Sequence, residues 1–504
     1  MGSSFSSYDI ARSGMYVSQR SLNTVGHNIS NVNTEGYVRQ QTIMSEYNPA
    51  SYGKFQVGLG VDVQQTRQIR DQFLDNMYRD ESKVLGYWES KNKTIEDVEA
   101  IFGDLSGEGL QQVIDQFFQG WQELTKDPDS LTVRATVRQR AIAFTDAVNH
   151  IGAQLDKLQE DLNTEIKFKI EEINDTAKQI TKLNKKIIEN EGTRDVANDY
   201  RDERNLLLDK LSKLANVDIT ERNNGMVYVS IGGVYLVNGE KTETIKADYN
   251  KDNSMFVTAK WEKSDKIVQL TSGTLFGLIE ARGDVAGYKG SVENGSVIET
   301  DDVDADAASD TYKFDPASNS LIPEIRRGLN TMVSLMARKI NEIHNSGVGI
   351  DGSTGVDFFT KMDDSLSFEM GNIQVNPEFN DLDLIASSAT GEKGDNTIAQ
   401  KIVEFRRDEL YRTTNLTVGI DDFYRSIITW IGTTGQEAAR VTENQNVLVS
   451  QIQNKKESIS GVSMDEEVTN MMKFQHAYNA SSRVMNTIDA MIDQIINRMG
   501  IVGR

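Results

Sequence analysis

The chain has 504 residues, 76 acidic side chains against 54 basic ones, no cysteine and five prolines. A net charge of −22 excludes a protein that grips nucleic acid through phosphate contacts and sets the surface against anionic membranes. The missing cysteine removes disulfides, thiolate metal sites, Fe–S clusters and cysteine nucleophiles, and the shortage of helix-breaking proline points to long helices.

At about 150 residues per domain, the length suggests about three domains. No apolar run approaches the roughly 20 residues of a membrane span, and no basic segment leads into an apolar one as in a signal peptide. Residues 8–32 carry apolar or small side chains at alternating spacings of three and four: Tyr8, Ala11, Met15, Ser18, Leu22, Val25, Ile29 and Val32. This is the a/d seam of an amphipathic helix. Gly14 and Gly26 weaken it, each by up to ~1 kcal/mol relative to alanine, and Gly36 is placed to end it as a left-handed C-terminal residue.

Residues 130–190 lack proline and read as one long helical stretch. Leu155, Leu158 and Leu162 form one stripe, which Ile166, Ile170, Ile173, Ala177, Ile180 and Ile187 continue. A further helix is expected over 198–214, with its Arg/Asp-rich half solvated. The period then drops to two. Val217–Thr220 reads as a strand, Asn223-Asn224-Gly225 as a turn, and Val227, Val229 and Ile231 alternate with Met226, Tyr228 and Ser230. Gly232-Gly233 and Asn238-Gly239 mark further hairpin turns around Val234–Val237. Phe256–Trp261 and Ile267–Leu270 read as later strands.

Residues 284–320 are polar, acidic and rich in Gly, Ser and Asp, the composition of a long loop. Helix resumes at Ile322–Asn345, with Pro323 in its first turn. Residues 346–395 are mixed and Gly-rich, and helices return from about 397. Val441, Gln445, Leu448, Ile452, Lys455 and Ile459 carry a weak seam. Ser463-Met464-Asp465-Glu466 has the capping-box pattern that opens a helix. The final seam then runs Met471, Phe474, Tyr478, Ser481, Met485, Ile488, Ile492, Ile495, Met499 and Val502.

Familiar catalytic patterns do not fit. No two of His27, His150, His344 and His476 have the spacing of a His-Glu-x-x-His zinc site. Asp302-Val303-Asp304-Ala305-Asp306 opens like a calcium loop, but Ala307 and Lys313 stand where the loop needs Gly and Glu. There is no Walker lysine, and no Gly-x-Ser-x-Gly elbow. No catalytic, cofactor-binding or metal residues are therefore assigned. The seams are each about 30 residues, or ~45 Å long. They lie at the chain ends, where segments are usually expendable. Burying roughly eight side chains per helix, at ~1.5–3 kcal/mol each, outweighs the glycine penalties only if a partner is present.

Ser13-Gly14-Met15, Gln19, Leu22, Asn28-Ile29-Ser30-Asn31, Thr34-Glu35-Gly36-Tyr37 and Arg39 resemble the N-terminal signature of bacterial flagellar rod, hook and junction proteins. Ser460-Gly461-Val462-Ser463-Met464-Asp465-Glu466-Glu467, Phe474-Gln475, Tyr478, Ala480 and Ile492–Asn497 resemble the matching C-terminal signature. Gly58–Val61 with Arg67, Asp71 and Phe73-Leu74, Asn198–Ser212, Ser272–Ile279 and Pro323–Phe359 narrow the likeness to the hook-associated junction family of that group. Residues 284–320 depart from it and look like an insertion.

The resemblance implies a mainly helical α+β chain, elongated and multidomain. Its terminal helices pair as a coiled coil (1–62 with 462–504). A long-helix domain, 63–215 with 322–461, forms a tube wall, and a small β-rich outer domain, 216–321, carries the acidic insertion. It implies a non-enzymatic structural adapter that joins hook to filament. It implies that the chain leaves the cell through the flagellar type III apparatus, without a cleaved signal, and ends outside the cell. Its implied partners are other copies of itself, the hook protein, a second junction protein on the filament side and an export chaperone, with no nucleic acid and no membrane. Subunit contacts are expected at Tyr8, Ala11, Met15, Leu22, Val25, Ile29, Val32, Met471, Phe474, Tyr478, Met485, Ile488, Ile492, Ile495 and Met499. Asn28 and Gln475 are expected to select partners. The alternatives are a hook or distal-rod protein, a surface hydrolase on a flagellar scaffold, or a free cytosolic coiled-coil scaffold.

Overall fold

The computed structural model describes residues 2–47, 49–52, 55–103, 109–192, 196–249, 256–283, 292–293, 296–297, 320–364, 368–413 and 416–498. Long helices carry most of it: α1 (Gly2–Ser30), α2 (Gln72–Gly103), α3 (Leu110–Lys126), α4 (Leu131–Glu191), α5 (Asn198–Leu214), α6 (Thr274–Arg282), α7 (Leu321–Asn345), α8 (Thr397–Phe405), α9 (Ile420–Ser460) and α10 (Met464–Asp493). The strands are short and antiparallel. β1 (Gln40–Glu46) pairs with β4 (Val61–Gln68), and β2 (Ala50–Tyr52) pairs with β3 (Phe55–Val57) between them. β5 (Val217–Glu221), β6 (Val227–Ile231), β7 (Val234–Asn238) and β8 (Lys241–Thr242) form a four-stranded meander. β9 (Ile245–Tyr249) pairs with β10 (Val257–Trp261). The chain is thus α+β and mainly α.

The chain divides into two compact units. The first comprises Met1–Val84, Glu172–Thr244 and Gln445–Arg504; the second comprises Leu85–Glu171 and Ile245–Asn444. The β5–β8 meander belongs to the first unit and the β9–β10 hairpin to the second. Along α4 the isoleucine stripe becomes an inward ridge, with Ile166, Ile173, Ile180 and Ile187 at 0% exposure. In the meander, Val227, Val229 and Ile231 are buried while Tyr228 and Ser230 are half-exposed, so the period of two sorts the faces of β6. Gly225 takes φ +78° in the β5–β6 turn, a conformation that favours glycine.

The second unit is built around an aromatic core. Phe117 and Trp121 of α3, Phe144 of α4, and Phe358, Phe359 and Phe379 are all fully buried. Ring centroids 5.0–6.5 Å apart link them. His344 of α7 closes this cluster. Its Nδ1–H donates to the Val356 carbonyl (2.6 Å), and its Nε2 accepts the Ala386 amide (2.8 Å). Ile267–Leu270 is not a strand. Only the single bridge Lys260↔Ile267 forms there, with the Val268 amide bonded to the Ala259 carbonyl (2.9 Å). The acidic insertion falls almost wholly outside the described residues, and the calcium-like 302–313 segment lies entirely outside them.

Burial pushes the His344 pKa from 6.5 down to about 4. Between these values the unfolded chain binds a proton that the folded chain refuses, so the contribution of His344 to stability falls as pH drops from 6.5 towards 4. Substituting His344→Gln is expected to lower Tm at pH 7 yet flatten the fall in Tm between pH 7 and pH 5. A slope unchanged by the substitution would contradict this role.

Candidate functional site

The two chain ends meet in the first unit. α1 packs against α10 and against β1 and β4. The buried residues of α1 are Ala11, Val17, Ser18, Ser21, Val25 and Asn28, with Gly14 on the same face as Ala11 and Ser18. Small side chains let the helices approach closely: a Cβ on Gly14 would stand 2.8 Å from Ser481 Oγ. Of the residues expected as contacts on α1, Ala11 and Val25 are buried, whereas Tyr8, Met15, Leu22 and Ile29 are half-exposed, as is Val32 in the turn that follows the helix. On α10, Met471, Phe474, Tyr478, Met485, Ile488 and Ile492 form one half-exposed line, and Ile495 is 53% exposed. Met499 lies outside the described residues.

Beside that line, large apolar side chains stay in solvent. Met464, Val468, Met472, Val484, Met491 and Ile496 are 45–69% exposed, and Ile10 (42%) and Tyr16 (58%) on α1 are exposed too. The weak seam expected on α9 is displaced. Leu448, Lys455 and Ile459 are exposed, while Ile452, Lys456 and Ser460 face inward. Lys456 is drawn in because it ion-pairs two aspartates there.

The root of the helix pair is polar. Glu467, in the first turn of α10, is 1% exposed, and both its oxygens are bonded. Oε1 accepts Arg39 Nε (2.8 Å) and Oε2 accepts Asn28 Nδ2 (3.0 Å). Asn28 spends its whole amide: Nδ2 also donates to the Gln40 carbonyl (2.9 Å), while Oδ1 accepts the Gln40 amide (3.0 Å) and the Tyr37 hydroxyl (2.8 Å). It is therefore consumed within the chain and unavailable for choosing a partner, while Gln475 is exposed. Arg39 also donates to Glu466 (2.7 Å), and its backbone N–H bonds the Ser460 carbonyl at the end of α9 (2.9 Å). The expected capping box does not form. Ser463 makes no side-chain capping bond, and the Glu466 carboxylate is drawn to Arg39 instead.

A second polar layer lies beneath. His27 Nε2 is 3.4 Å from Asp199, and its ring stacks on Tyr37. Burial, reinforced by Asp199, Asp202 and Glu467, pushes the Tyr37 phenol well above its ordinary range. Asp202 accepts the Val38 amide (3.1 Å) and Gln68 Nε2 (2.7 Å), and burial raises its pKa to about 7. Burial would also raise Asp75, but Arg70 and Lys456 hold its carboxyl below the usual range. Lys456 bridges Asp75 (3.0 Å) and Asp209 (2.7 Å), and Arg79 completes the chain to Asp209 (2.6 Å). The Arg/Asp-rich half of α5 is thus only partly solvated: Asp199 and Glu203 are exposed, but Asp202 and Arg204 are not. Asp202 is 5% and Arg204 0% exposed, because each finds partners: Arg204 donates to Asn184 (3.0 Å) and to the Gly225 carbonyl (2.6 Å). A polar cleft of about 970 Å³ opens between β4, the start of α2, α5 and β5. Of the arginines that line it, Arg70, Arg79 and Arg201 are taken up by Asp75, Asp209, Glu191 and Glu221.

The seams are legible in the sequence, whereas β1, β4 and the roles of Arg39 and Glu467 are not. Both residues lie inside the terminal signatures, and a Glu-Glu pair beside an apolar seam is the signal that could have found them.

The geometry of paired ends matches what comparison finds. Residues 9–37 match the family model for flagella basal body rod proteins, and residues 456–499 match the C-terminal model of the FlgEFG rod proteins. This pair of terminal segments defines the class, an axial protein of the bacterial flagellum. Between them, residues 95–359, just over half the chain, match the helical domain of flagellar hook-associated protein FlgK. The chain is 28% identical to flagellar hook-associated protein 1 of Bacillus subtilis, over the full length of both. It is 23% identical to that of Escherichia coli, covering 97% of this chain and 98% of the relative. The fold is similar to that of the flagellar hook junction protein FlgK from Burkholderia pseudomallei. That match has a TM-score of 0.59 at 13% identity and covers 76% of this chain and all of the other. The chain belongs to the FlgK family of flagellar hook-associated proteins. That family is structural, so the chain is a structural component of the hook–filament junction and not an enzyme. The internal match also sets aside the hook and distal-rod alternatives.

Because the atom nearest a Cβ on Gly14 is the rotatable Ser481 Oγ, Gly14→Ala is expected to be tolerated and to gain up to ~1 kcal/mol of helix propensity. Gly14→Leu should separate the helices. Amide exchange along α10 should then rise at least tenfold with Leu and not with Ala; equal protection in both would refute the close approach.

Proposed function

We propose that the two terminal helices are the assembly elements of this junction subunit. The observation that carries the reading is the half-covered state of the terminal pair. α10 turns its Met471–Ile492 line towards α1 yet leaves Met464, Val468, Met472, Val484 and Met491 each 45–64% exposed. Large apolar side chains exposed in such number along one helix support an interaction role. Neighbouring copies supply the missing cover, and the contacts expected from the sequence, from Tyr8 to Val32 and from Met471 to Met499, line the joint.

On this reading the domains divide the work. Residues 1–62 with 462–504 form the inner core, 63–215 with 322–461 the wall, and 216–321 the outer surface. The subunit meets hook protein on one side and a second junction protein on the other. It is held by an export chaperone before passing unfolded through the flagellar type III apparatus, and it resides outside the cell. The family's structural role supports this placement, as does a chain with no cysteine to crosslink on the way.

The double variant Met472→Asp/Met491→Asp tests the reading, since both side chains are exposed in the single subunit. It is expected to leave Tm within about 2 °C and to abolish complementation of a deletion strain, whose cells carry hooks without filaments. Full motility with the double variant would refute the assignment of α10 as an assembly surface.

A further inference from the structure

The contact between the chain ends is uneven along its length. Far from the root it rests on small side chains. Gly14 faces Ser481, and the other buried positions nearby on α1 are Val17 and the small Ala11 and Ser18. Such small residues remove little apolar area from water. Among the described residues of α10 one side chain alone is buried, and it is Glu467. Its carboxylate holds both ends of the same short segment, Asn28 at the close of α1 and Arg39 just before β1. Arg39 in turn holds the Ser460 carbonyl where α9 ends.

We infer that Glu467 is the positioning residue that closes the terminal pair. Its clamp fixes the first turn of α10 on α1. Once that turn is placed, each further turn docks at local cost, as a helix does beyond its nucleus. The reach extends at least to the Gly14–Ser481 approach, 14 residues or roughly 21 Å along the helix. Without the carboxylate, Asn28 Nδ2 and Arg39 Nε lose their charge-assisted bonds to α10, and closure of the pair becomes less favourable. Glu466 also touches Arg39, but its side chain is 61% exposed, so it contributes little.

The chain offers a direct probe because it has no cysteine of its own. A Cβ at position 14 would lie 3.7 Å from the Ser481 Cβ, within the 3.5–4.5 Å of natural disulfides. The full chain with Gly14→Cys/Ser481→Cys is expected to oxidise readily as a monomer. Adding Glu467→Ala should slow oxidation about tenfold or more, as expected for lost bonds to a charged group. Glu467→Gln, which keeps one acceptor, should fall between, and Glu466→Ala should change the rate less than threefold. Oxidation of the Glu467→Ala chain at the original rate overturns the inference, as does failure of the otherwise unchanged cysteine pair to oxidise. If Glu467→Ala does not fold by circular dichroism, Glu467→Gln carries the same comparison.

A second arm rests on the assembly role proposed above. Locking the disulfide in Glu467→Ala should restore incorporation into junctions, which damage elsewhere in the fold would not allow. Slow oxidation without this rescue leaves Glu467 as the closing residue and refutes the assembly reading instead.

Discussion

Burying a carboxylate costs several kcal/mol unless its lone pairs are met, and removing one partner of a buried pair costs more than the pair contributes. Glu467 is the point where that constraint governs this chain. At 1% exposure it accepts from Asn28 and Arg39, and each of those is committed again, Asn28 to Gln40 and Tyr37, Arg39 to Glu466 and the Ser460 carbonyl. The end of α1, the segment leading into β1, the end of α9 and the start of α10 therefore share one set of hydrogen bonds. None of the four can shift without exposing or orphaning a polar group in another. An apolar contact of the same area would tolerate sliding, but this one does not.

That set joins residues far apart in the chain. Asn28 and Glu467 are separated by 439 positions, and closing a flexible loop of that length costs roughly 5 kcal/mol before any contact is made. The first unit shortens the effective loop by assembling from three stretches of chain. The charged layer under the clamp takes its members from all three: Arg70, Asp75 and Arg79 from the first, Asp202 and Asp209 from the second, Lys456 from the third. That layer also reaches the clamp's own supports: Asp202 accepts the Val38 amide beside Arg39, and Lys456 lies one turn before Ser460. The packing of the unit and the closing of its ends are consequently one problem in polar satisfaction.

What is legible in the sequence follows from how much of the information is local. Helix α4 can be read from its isoleucine spacing and the β5–β8 meander from Asn-Gly and Gly-Gly turns, because periodicity and turn chemistry act over a few residues. The paired terminal helices are legible for the same reason. Polar burial is not. The charges of Asp202 and Arg204 look like a solvated face because their partners Val38, Gln68, Asn184 and Gly225 lie 20 to 164 positions away on other elements. Asn28 looks like a partner-selecting seam residue, and Ser463 like a cap, for want of the same knowledge. Strands β1 and β4 escape a sequence reading because neither shows a clean apolar alternation: both are half-exposed polar ribbons given order by α1.

The terminal pair thus separates two tasks that a coiled coil usually combines. Heptad side chains normally supply both affinity and register. Here the large apolar side chains of α10 remain substantially exposed, and the buried line of α1 is Ala11, Ser18, Ser21, Val25 and Asn28. Small residues permit close approach but discriminate poorly between alignments, so alignment is delegated to the polar root. The apolar flanks are left unspent within the single chain. A subunit built this way holds a defined shape at its ends while withholding most of its apolar free energy. On the assembly proposal, that reserve is released only when neighbouring copies bring their own surfaces to it.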